Sequence, residues 1–210
     1  MNLYLVRHGK TDAKENNRKQ APTSPLSEEG KKQALAVAER LAKEKIDVII
    51  SSKWDRAYQT AEAVANKLKL KLETIEGIHE KEHNPDIYGI DLDSILFKKY
   101  SEEVEKFENN LDWKFDGKGE SIRDLINRAK KFQSYLIKKY KDENVLVVSH
   151  GQFIRAFVIF SLLGEDYNDK TFYKMYTSIT TSNTGVSLFE YFPERNHWEL
   201  IYLNDHLHIK

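Results

Sequence analysis

Two His-Gly pairs, at His8 and His150, each follow an apolar segment within two residues. The preceding segments are Leu3–Val6 and Val145–Val148. A histidine can attack an electrophilic centre such as phosphorus and then hold the transferred group covalently. A glycine beside it lets the backbone approach a ligand closely and exposes an N–H group. The pattern therefore indicates nucleophilic chemistry in a pocket built around two imidazoles.

Two arginines accompany this pattern. Arg7 directly precedes His8, and Arg56 follows a third apolar segment, Ile46–Ile50. A guanidinium group offers paired donors that match a phosphoryl group. We expect these arginines and a second histidine, His150 in its cationic form, to stabilise the oxygens of a phosphoryl group during its transfer.

A general acid is expected on the segment 76–90, which reads as a loop. Glu80 and Glu82 both lie there and could protonate a leaving oxygen. The same stretch reads His79-Glu80-Lys81-Glu82-His83, which matches the zinc peptidase pattern His-Glu-x-x-His. That alternative needs a helix that puts both histidines on one face, whereas Gly77 and Pro85 closely bracket the segment.

The elements that position these residues alternate between strands and helices, as in an α/β domain with a largely parallel sheet. We predict strands at Leu3–Val6, Ile46–Ile50, Lys69–Ile75, Val145–Val148, Val186–Tyr191 and Glu199–Leu203. Helices are predicted after Ser27, over Asp55–Leu68, within 91–113, from Ser121 to Tyr140 and over Phe153–Leu163. Ligands bind at the carboxyl ends of parallel strands, so we expect Arg7, His8, Arg56 and His150 on one rim.

The predicted fold is a single domain, residues 1–210, forming a three-layer α/β/α sandwich with a mostly parallel central sheet. Residues 77–118 break the alternation and are expected to form a helical cap. The 210 residues include no cysteine, which excludes disulfides and thiolate metal sites. Lysine plus arginine and aspartate plus glutamate both number 33, so no nucleic-acid partner is expected.

Six motifs in order resemble the histidine phosphatase superfamily, the phosphoglycerate-mutase-like group. They are Arg-His-Gly-Lys-Thr at 7–11, Leu-Ser-Glu-Glu-Gly at 26–30, Ser52 through Ala61 with Arg56 inside, Gly-Glu-Ser at 119–121, Val-Ser-His-Gly at 148–151 and Asn-Thr-Gly at 183–185. The resemblance implies His8 as the nucleophile, a phosphohistidine intermediate and no metal or cofactor. It also implies a phosphate pocket that includes Arg7, Arg56 and His150, with Thr11, Gly151 and Gln152 as further substrate-binding residues.

Within that resemblance, the family's Leu-x-Glu pattern falls on Ile78-His79-Glu80, so Glu80 is favoured over Glu82 as general acid and base. The family often places a phosphate-contacting asparagine where Lys14 stands here, and Asn16 or Asn17 could replace it. The mutase stretch Asn-Arg-Phe-x-Gly-Trp is absent from residues 17–21, which favours a phosphatase over phosphoglycerate-mutase-type transfer.

The expected substrate is a small phosphorylated metabolite. A third hypothesis is a non-enzymatic protein that retains phosphate affinity without turnover. No apolar run approaches the ~18 residues of a membrane span, and the N-terminal residues lack the basic region of a signal peptide, so a cytoplasmic protein without membrane partners is expected. An apolar edge strand at Val186–Tyr191 would permit a homodimer.

Overall fold

The sheet that carries the site has six strands in the order β3-β2-β4-β1-β5-β6 in a computed structural model of the chain. The structure describes residues 1–209, except for the side chains of Lys14 and Glu15. The strands are β1 Asn2–Arg7, β2 Val48–Ser52, β3 Leu72–Ile75, β4 Val145–Ser149, β5 Val186–Phe192 and β6 His197–Asp205. The four strands β1 to β4 pair in parallel, whereas β5 and β6 pair antiparallel.

Helices cover both faces of this sheet. They are α1 Asp12–Glu15, α2 Glu28–Leu41, α3 Asp55–Leu68, α4 Ile95–Lys106, α5 Ile122–Tyr140, α6 Gly151–Leu163 and α7 Asp169–Ser178. Successive strand residues point to opposite faces. Leu3 and Leu5 therefore pack with α5 and α6, and Tyr4 and Val6 pack with α2 and α3. The predicted three-layer α/β/α architecture is confirmed.

Local sequence signals account for most element boundaries. Ser27 caps α2 by accepting from the Gly30 N–H, and Ser121 forms a capping box with Asp124 at the start of α5. The helices predicted over Asp55–Leu68 and up to Tyr140 have those bounds. Within the chain segment 77–118, a short 3₁₀ turn at Pro85–Ile87 precedes α4, which is shorter than the predicted 91–113.

Two expectations about the C-terminal third are wrong. The strand over Val186–Tyr191 is not at the edge, because β5 pairs with β1 on one side and β6 on the other. A homodimer formed by pairing at an exposed β5 is therefore not supported. The helix α7 is absent from the predicted elements; it buries only Phe172 and Tyr176, too few apolar positions to give a clear helical period. Across residues 1–209, no helix combines the length and apolar character needed to cross a bilayer.

Candidate active site

The two histidines lie side by side at the carboxyl end of the sheet. β1 and β4 are parallel neighbours with Arg7 opposite Ser149, so the next residue on each strand is His8 or His150. The two ring centroids are 5.1 Å apart, and neither side chain is exposed to solvent. Strand pairing thus produces the juxtaposition that the two His-Gly pairs predict.

The hydrogen bonds of His8 fix its ring orientation. Its Nδ1 lies 2.7 Å from the Gly9 carbonyl oxygen, which can only accept, so Nδ1 carries the proton. The lone pair then lies on the other nitrogen, Nε2, which accepts from the Arg56 Nε–H at 3.1 Å. His8 is therefore held as the neutral tautomer that a nucleophile requires, with its reactive nitrogen against a cation.

His150 is oriented by a short chain of hydrogen bonds. The Trp54 N–H donates to Ser52 Oγ at 3.3 Å, and Ser52 Oγ lies 2.9 Å from His150 Nε2. A serine that accepts from Trp54 can donate its own hydrogen to Nε2, which leaves the proton of His150 on Nδ1. Nδ1 is buried and has no partner in the described part of the chain. It is thus available to donate to a bound anion.

The surroundings of His150 favour its neutral form over the cationic form expected from the sequence. Burial holds the pKa of His150 well below its usual value, and the nearby charge of Arg56 lowers it further. Charging an imidazole that lies beside a guanidinium without water is unfavourable. Neutral His150 still serves as a hydrogen-bond donor through Nδ1.

Arg56 is the central cation of the site. It lies in the first turn of α3 and is only 1% exposed, and its guanidinium lies over the Trp54 ring, 4.8 Å from the ring centroid. Its Nη1 donates to the Ala21 carbonyl at 2.8 Å. Burial lowers the pKa of Arg56 to about 10, against the attraction of Glu80, so it remains charged at neutral pH.

A group of buried polar atoms without partners marks an anion site. Among the described side chains these include Arg7 Nε, His150 Nδ1, Arg155 Nε and Thr181 Oγ1. Arg7 Nε and Thr181 Oγ1 would lie 3.3 and 3.0 Å from a Cβ built on Gly151. Buried donors without partners are costly. Their clustering at the start of α6 fits a site built for phosphoryl oxygens, since a helix N-terminus adds favourable N–H groups.

The start of α2 supports the loop that carries His8. The Ser27 N–H donates to the Lys10 carbonyl, and a Cβ on Gly30 would lie 1.9 Å from the same oxygen. Only glycine permits this close approach, which explains why a glycine closes the Leu-Ser-Glu-Glu-Gly stretch. On its other side, His8 is held by Asn183, whose Nδ2 donates to the His8 carbonyl at 2.9 Å.

Glu80 and Glu82 occupy different environments. Glu80 lines the cavity, and its Oε1 accepts from the backbone N–H groups of Lys81 at 3.1 Å and Gln152 at 3.0 Å. Glu82 is exposed, and its carboxylate lies 3.8 Å from His79. Only Glu80 therefore faces a ligand in the cavity.

An arginine on α5 holds the loop that carries Glu80. Arg128 donates to both oxygens of Glu120 at 2.7 Å. It also donates to three loop carbonyls, those of Gly77, His79 and Glu80, at 2.7, 3.0 and 3.3 Å. Burial raises the pKa of Glu120, but the bonds from Arg128 outweigh this and keep it below its usual value. This clamp fixes the backbone on which Glu80 is placed.

We expect Arg128→Lys to lower kcat by about a hundredfold with little change in KM. A single ammonium cannot bind a carboxylate and three carbonyls together, and a displacement of about 1 Å of a catalytic group costs about that factor. Steady-state kinetics measure the effect, with a circular dichroism spectrum to confirm folding. Arg123→Lys is the matched control, because Arg123 also lies on α5 but pairs with Asp112 and Asp169 away from the loop. Equal kinetics in the two variants would contradict the clamp.

The zinc peptidase alternative does not fit the structure. Residues 79–83 form a loop rather than a helix, so the helical spacing that defines that site is absent. His79 stacks on Trp54, with ring centroids 5.4 Å apart, whereas His83 contacts Tyr100 and Gln152. Among the side chains described, which exclude Lys14 and Glu15, no group of three or more His, Asp and Glu residues is arranged to hold a metal ion.

Of the remaining residues predicted for the site, some line the cavity and others make contacts elsewhere. Gly151 and Gln152 line the cavity, whereas Thr11 is fully buried and accepts from Gln20, which itself lines the cavity. The two asparagines proposed as phosphate contacts face elsewhere: Asn16 bonds the Asp12 carbonyl, and Asn17 bonds Asp93. The side chain of Lys14 lies outside the described part of the structure.

Four cations at the cavity are absent from the predicted site: Arg18, Lys19, Lys81 and Arg155. Arg155 lies four residues after Gly151 on the same helix, so it faces the same side as the helix start. The four-residue spacing from Gly151 could therefore have identified Arg155 as a site residue from the sequence. Lys19 and Lys81 carry no such signal, because a lysine in a polar stretch reads as a solvated charge until the fold buries it.

Acid should destabilise the folded protein through two buried histidines. Burial lowers the pKa of both His83 and His150 well below about 6.5, so they stay neutral in the folded state while their unfolded forms take up protons. The unfolding free energy should therefore fall below about pH 6.5, by up to about 1.4 kcal/mol per pH unit for each histidine. Urea unfolding at a series of pH values tests this, and His83→Gln should reduce the slope. A free energy constant between about pH 6.5 and 5 would contradict it.

Parallel strands that deliver a neutral, buried histidine and a cluster of arginines to one cavity define a phosphoryl-transfer enzyme with a histidine nucleophile. The sequence profile of the histidine phosphatase superfamily, branch 1, matches residues 3–206. The chain belongs to this superfamily, and it is a phosphoric monoester hydrolase.

Individual relatives agree. The chain is 36% identical over 166 residues to phosphoserine phosphatase 1 of Hydrogenobacter thermophilus, which covers 78% of this chain and 77% of that protein. It is 36% identical over 161 residues to a metal-independent phosphoserine phosphatase of Arabidopsis thaliana, over 73% and 66% of the two chains. Its fold superposes on a mycobacterial glucosyl-3-phosphoglycerate phosphatase with a TM-score of 0.81, at 25% identity over 97% and 98% of the chains.

Proposed function

We propose that this protein hydrolyses phosphomonoesters without a metal, through a phosphohistidine on His8 and with Glu80 as general acid and base. The observation that carries the proposal is the pair of bonds on His8, which places the proton on Nδ1 and the lone pair on Nε2, beside the Arg56 guanidinium. A relative named metal-independent supports the absence of a metal. The substrates that the relatives' names give, phosphoserine above all, are candidates for this chain.

In the first step the substrate phosphoryl group binds and accepts the hydrogen bond of the Arg56 Nε–H, which no longer donates to His8 Nε2. Nε2 of His8 then bonds to phosphorus while the bond from phosphorus to the leaving oxygen breaks. The Glu80 carboxyl group gives its proton to that oxygen, so the product leaves as a neutral alcohol. Arg7, Arg56 and the Nδ1–H of His150 donate to the phosphoryl oxygens as charge develops on them.

In the second step water attacks the phosphohistidine. The Glu80 carboxylate takes a proton from the water, whose oxygen bonds to phosphorus as the bond to His8 Nε2 breaks. Inorganic phosphate leaves, and both His8 and Glu80 regain their starting protonation. Because Glu80 is anchored by the N–H groups of Lys81 and Gln152, one carboxyl group can serve both steps.

Hydrolysis of p-nitrophenyl phosphate in excess EDTA tests this proposal. We expect turnover that EDTA does not reduce and release of one inorganic phosphate per phenol. Activity that needs an added divalent metal would contradict the mechanism. In the same assay a polyhydroxy acceptor tests the mutase alternative, because a phosphorylated acceptor in place of free phosphate would show transfer rather than hydrolysis.

A further inference from the structure

The cavity in front of His8 carries far more positive than negative charge. It has a volume of about 370 Å³, and Glu80 supplies the one carboxylate among its described lining residues. The cationic side chains that line it are Arg7, Arg18, Lys19, Arg56, Lys81 and Arg155. The phosphoryl group of a monoester brings at most two negative charges, so on its own it leaves most of this positive charge without a counterion.

Four of these six cations fall into two pairs. Arg7 and Arg155 lie at the start of α6, beside Gly151 and His150, where the phosphoryl group is proposed to bind. Lys19 and Lys81 both lie near Tyr100 of α4. Lys19 Nζ is 5.6 Å from the centroid of the Tyr100 ring, and the charges of both lysines lower the pKa of His83.

Lys81 is only 8% exposed. Among the side chains that the structure describes, neither lysine has an acidic partner, and neither ammonium group forms an ion pair or a hydrogen bond. Burial lowers the pKa of Lys19 to about 8 against the attraction of Glu80, and it lowers the pKa of Lys81 to about 8 with the help of Lys19. Both remain mainly protonated at neutral pH. Two desolvated ammonium groups without counterions are unfavourable, and an anionic ligand would remove that cost.

We propose that Lys19 and Lys81 bind a second anionic group of the substrate, a carboxylate or a second phosphate. The physiological substrate is then a small phosphomonoester with two acidic groups, which the cavity volume accommodates. This inference rests on the proposed function, because the first acidic group is the phosphoryl group that His8 attacks. It assigns Lys19 and Lys81 as specificity-determining residues that touch the leaving group and not the reacting phosphorus.

Matched substrates test this inference. O-phosphoserine and O-phosphoethanolamine differ only by a carboxylate, and 3-phosphoglycerate and glycerol bisphosphate compare a carboxylate with a second phosphate. For the wild type we expect kcat/KM to be about ten- to a hundredfold higher for phosphoserine than for phosphoethanolamine. The better of the other two substrates identifies which second anion the lysines prefer.

The variants Lys19→Met and Lys81→Met remove the charges while keeping most of the side-chain volume. We expect each to reduce the ratio of the two kcat/KM values by about tenfold or more. Lys32→Met is the control, because Lys32 is exposed on α2 and should leave the ratio unchanged. Since the measured quantity is a ratio, a general loss of activity does not affect it.

The outcomes separate this inference from the proposed function. If the wild type hydrolyses phosphoserine and phosphoethanolamine equally well, the second anion site is wrong and the phosphatase mechanism stands. If the ratio is high but the two lysine variants keep it, the site lies elsewhere and the assignment is wrong. If none of these esters nor p-nitrophenyl phosphate is hydrolysed, the proposed function itself fails.

Discussion

Replacement of His8 by alanine is expected to abolish turnover of every phosphomonoester, with a loss of about four orders of magnitude or more in kcat. The structure places the lone pair of His8 on Nε2, against the guanidinium of Arg56, which lines the cavity. Its neighbour cannot replace it, because His150 Nε2 is bonded to Ser52. The measurement is p-nitrophenyl phosphate hydrolysis by wild type and variant, both in excess EDTA.

The control for this variant is His206→Ala. His206 is exposed near the C-terminus and bonds the Asn204 carbonyl, so its loss should leave kcat unchanged. Residual activity of His8→Ala within tenfold of the wild type would show that another group attacks phosphorus. An inactive wild type would instead revive the hypothesis of a protein that binds phosphate without turnover.

Replacement of Glu80 by glutamine is expected to cause the second large loss in kcat. We expect a loss of about 10²- to 10⁴-fold in kcat for alkyl phosphates, the usual contribution of a general acid. The loss should be much smaller for the phosphorylation step with p-nitrophenyl phosphate, since nitrophenolate leaves without a proton. Glutamine keeps the shape and can still accept from the N–H groups of Lys81 and Gln152, so folding should be intact.

Glu82→Gln is the matched control for the general acid. It lies two residues away on the same loop, but its side chain is exposed beside His79, and we expect a change of less than about threefold, within the range of a surface substitution. If Glu82→Gln loses more activity than Glu80→Gln, the roles must be exchanged. Single-turnover experiments measure the rate of the phosphorylation step alone. If Glu80→Gln lowers that rate equally for alkyl and nitrophenyl esters, Glu80 has a positioning role and is not the general acid.

Much of the fold was predictable because strong local signals agreed with the tertiary structure. The strand Val145–Val148 is a continuous apolar run and lies at the centre of a parallel sheet, buried throughout. The helix ending at Tyr140 has a complete capping box and a regular apolar face. The pairing of His8 with His150 followed from a rule about strand ends, and the observed sheet order obeys it.

The unpredicted features depend on burial that no local pattern reveals. The charge state of His150 is set by desolvation and by Arg56, which reaches it from another helix. Lys81 sits between two glutamates in the sequence yet is almost fully buried. The choice between Glu80 and Glu82 likewise required the loop conformation, which Arg128 sets from α5 through backbone carbonyls.

Direct detection of the covalent intermediate tests the central claim. Wild-type protein is mixed with phosphoserine, quenched in alkali, where phosphohistidine survives and phosphoaspartate does not, and digested for mass spectrometry. We predict a single phosphorylated peptide containing His8, with the phosphate absent from His8→Ala and accumulating in Glu80→Gln when a nitrophenyl ester is used. Phosphate on any other residue, or hydrolysis without any phosphorylated peptide under rapid quenching, would contradict a phosphohistidine on His8.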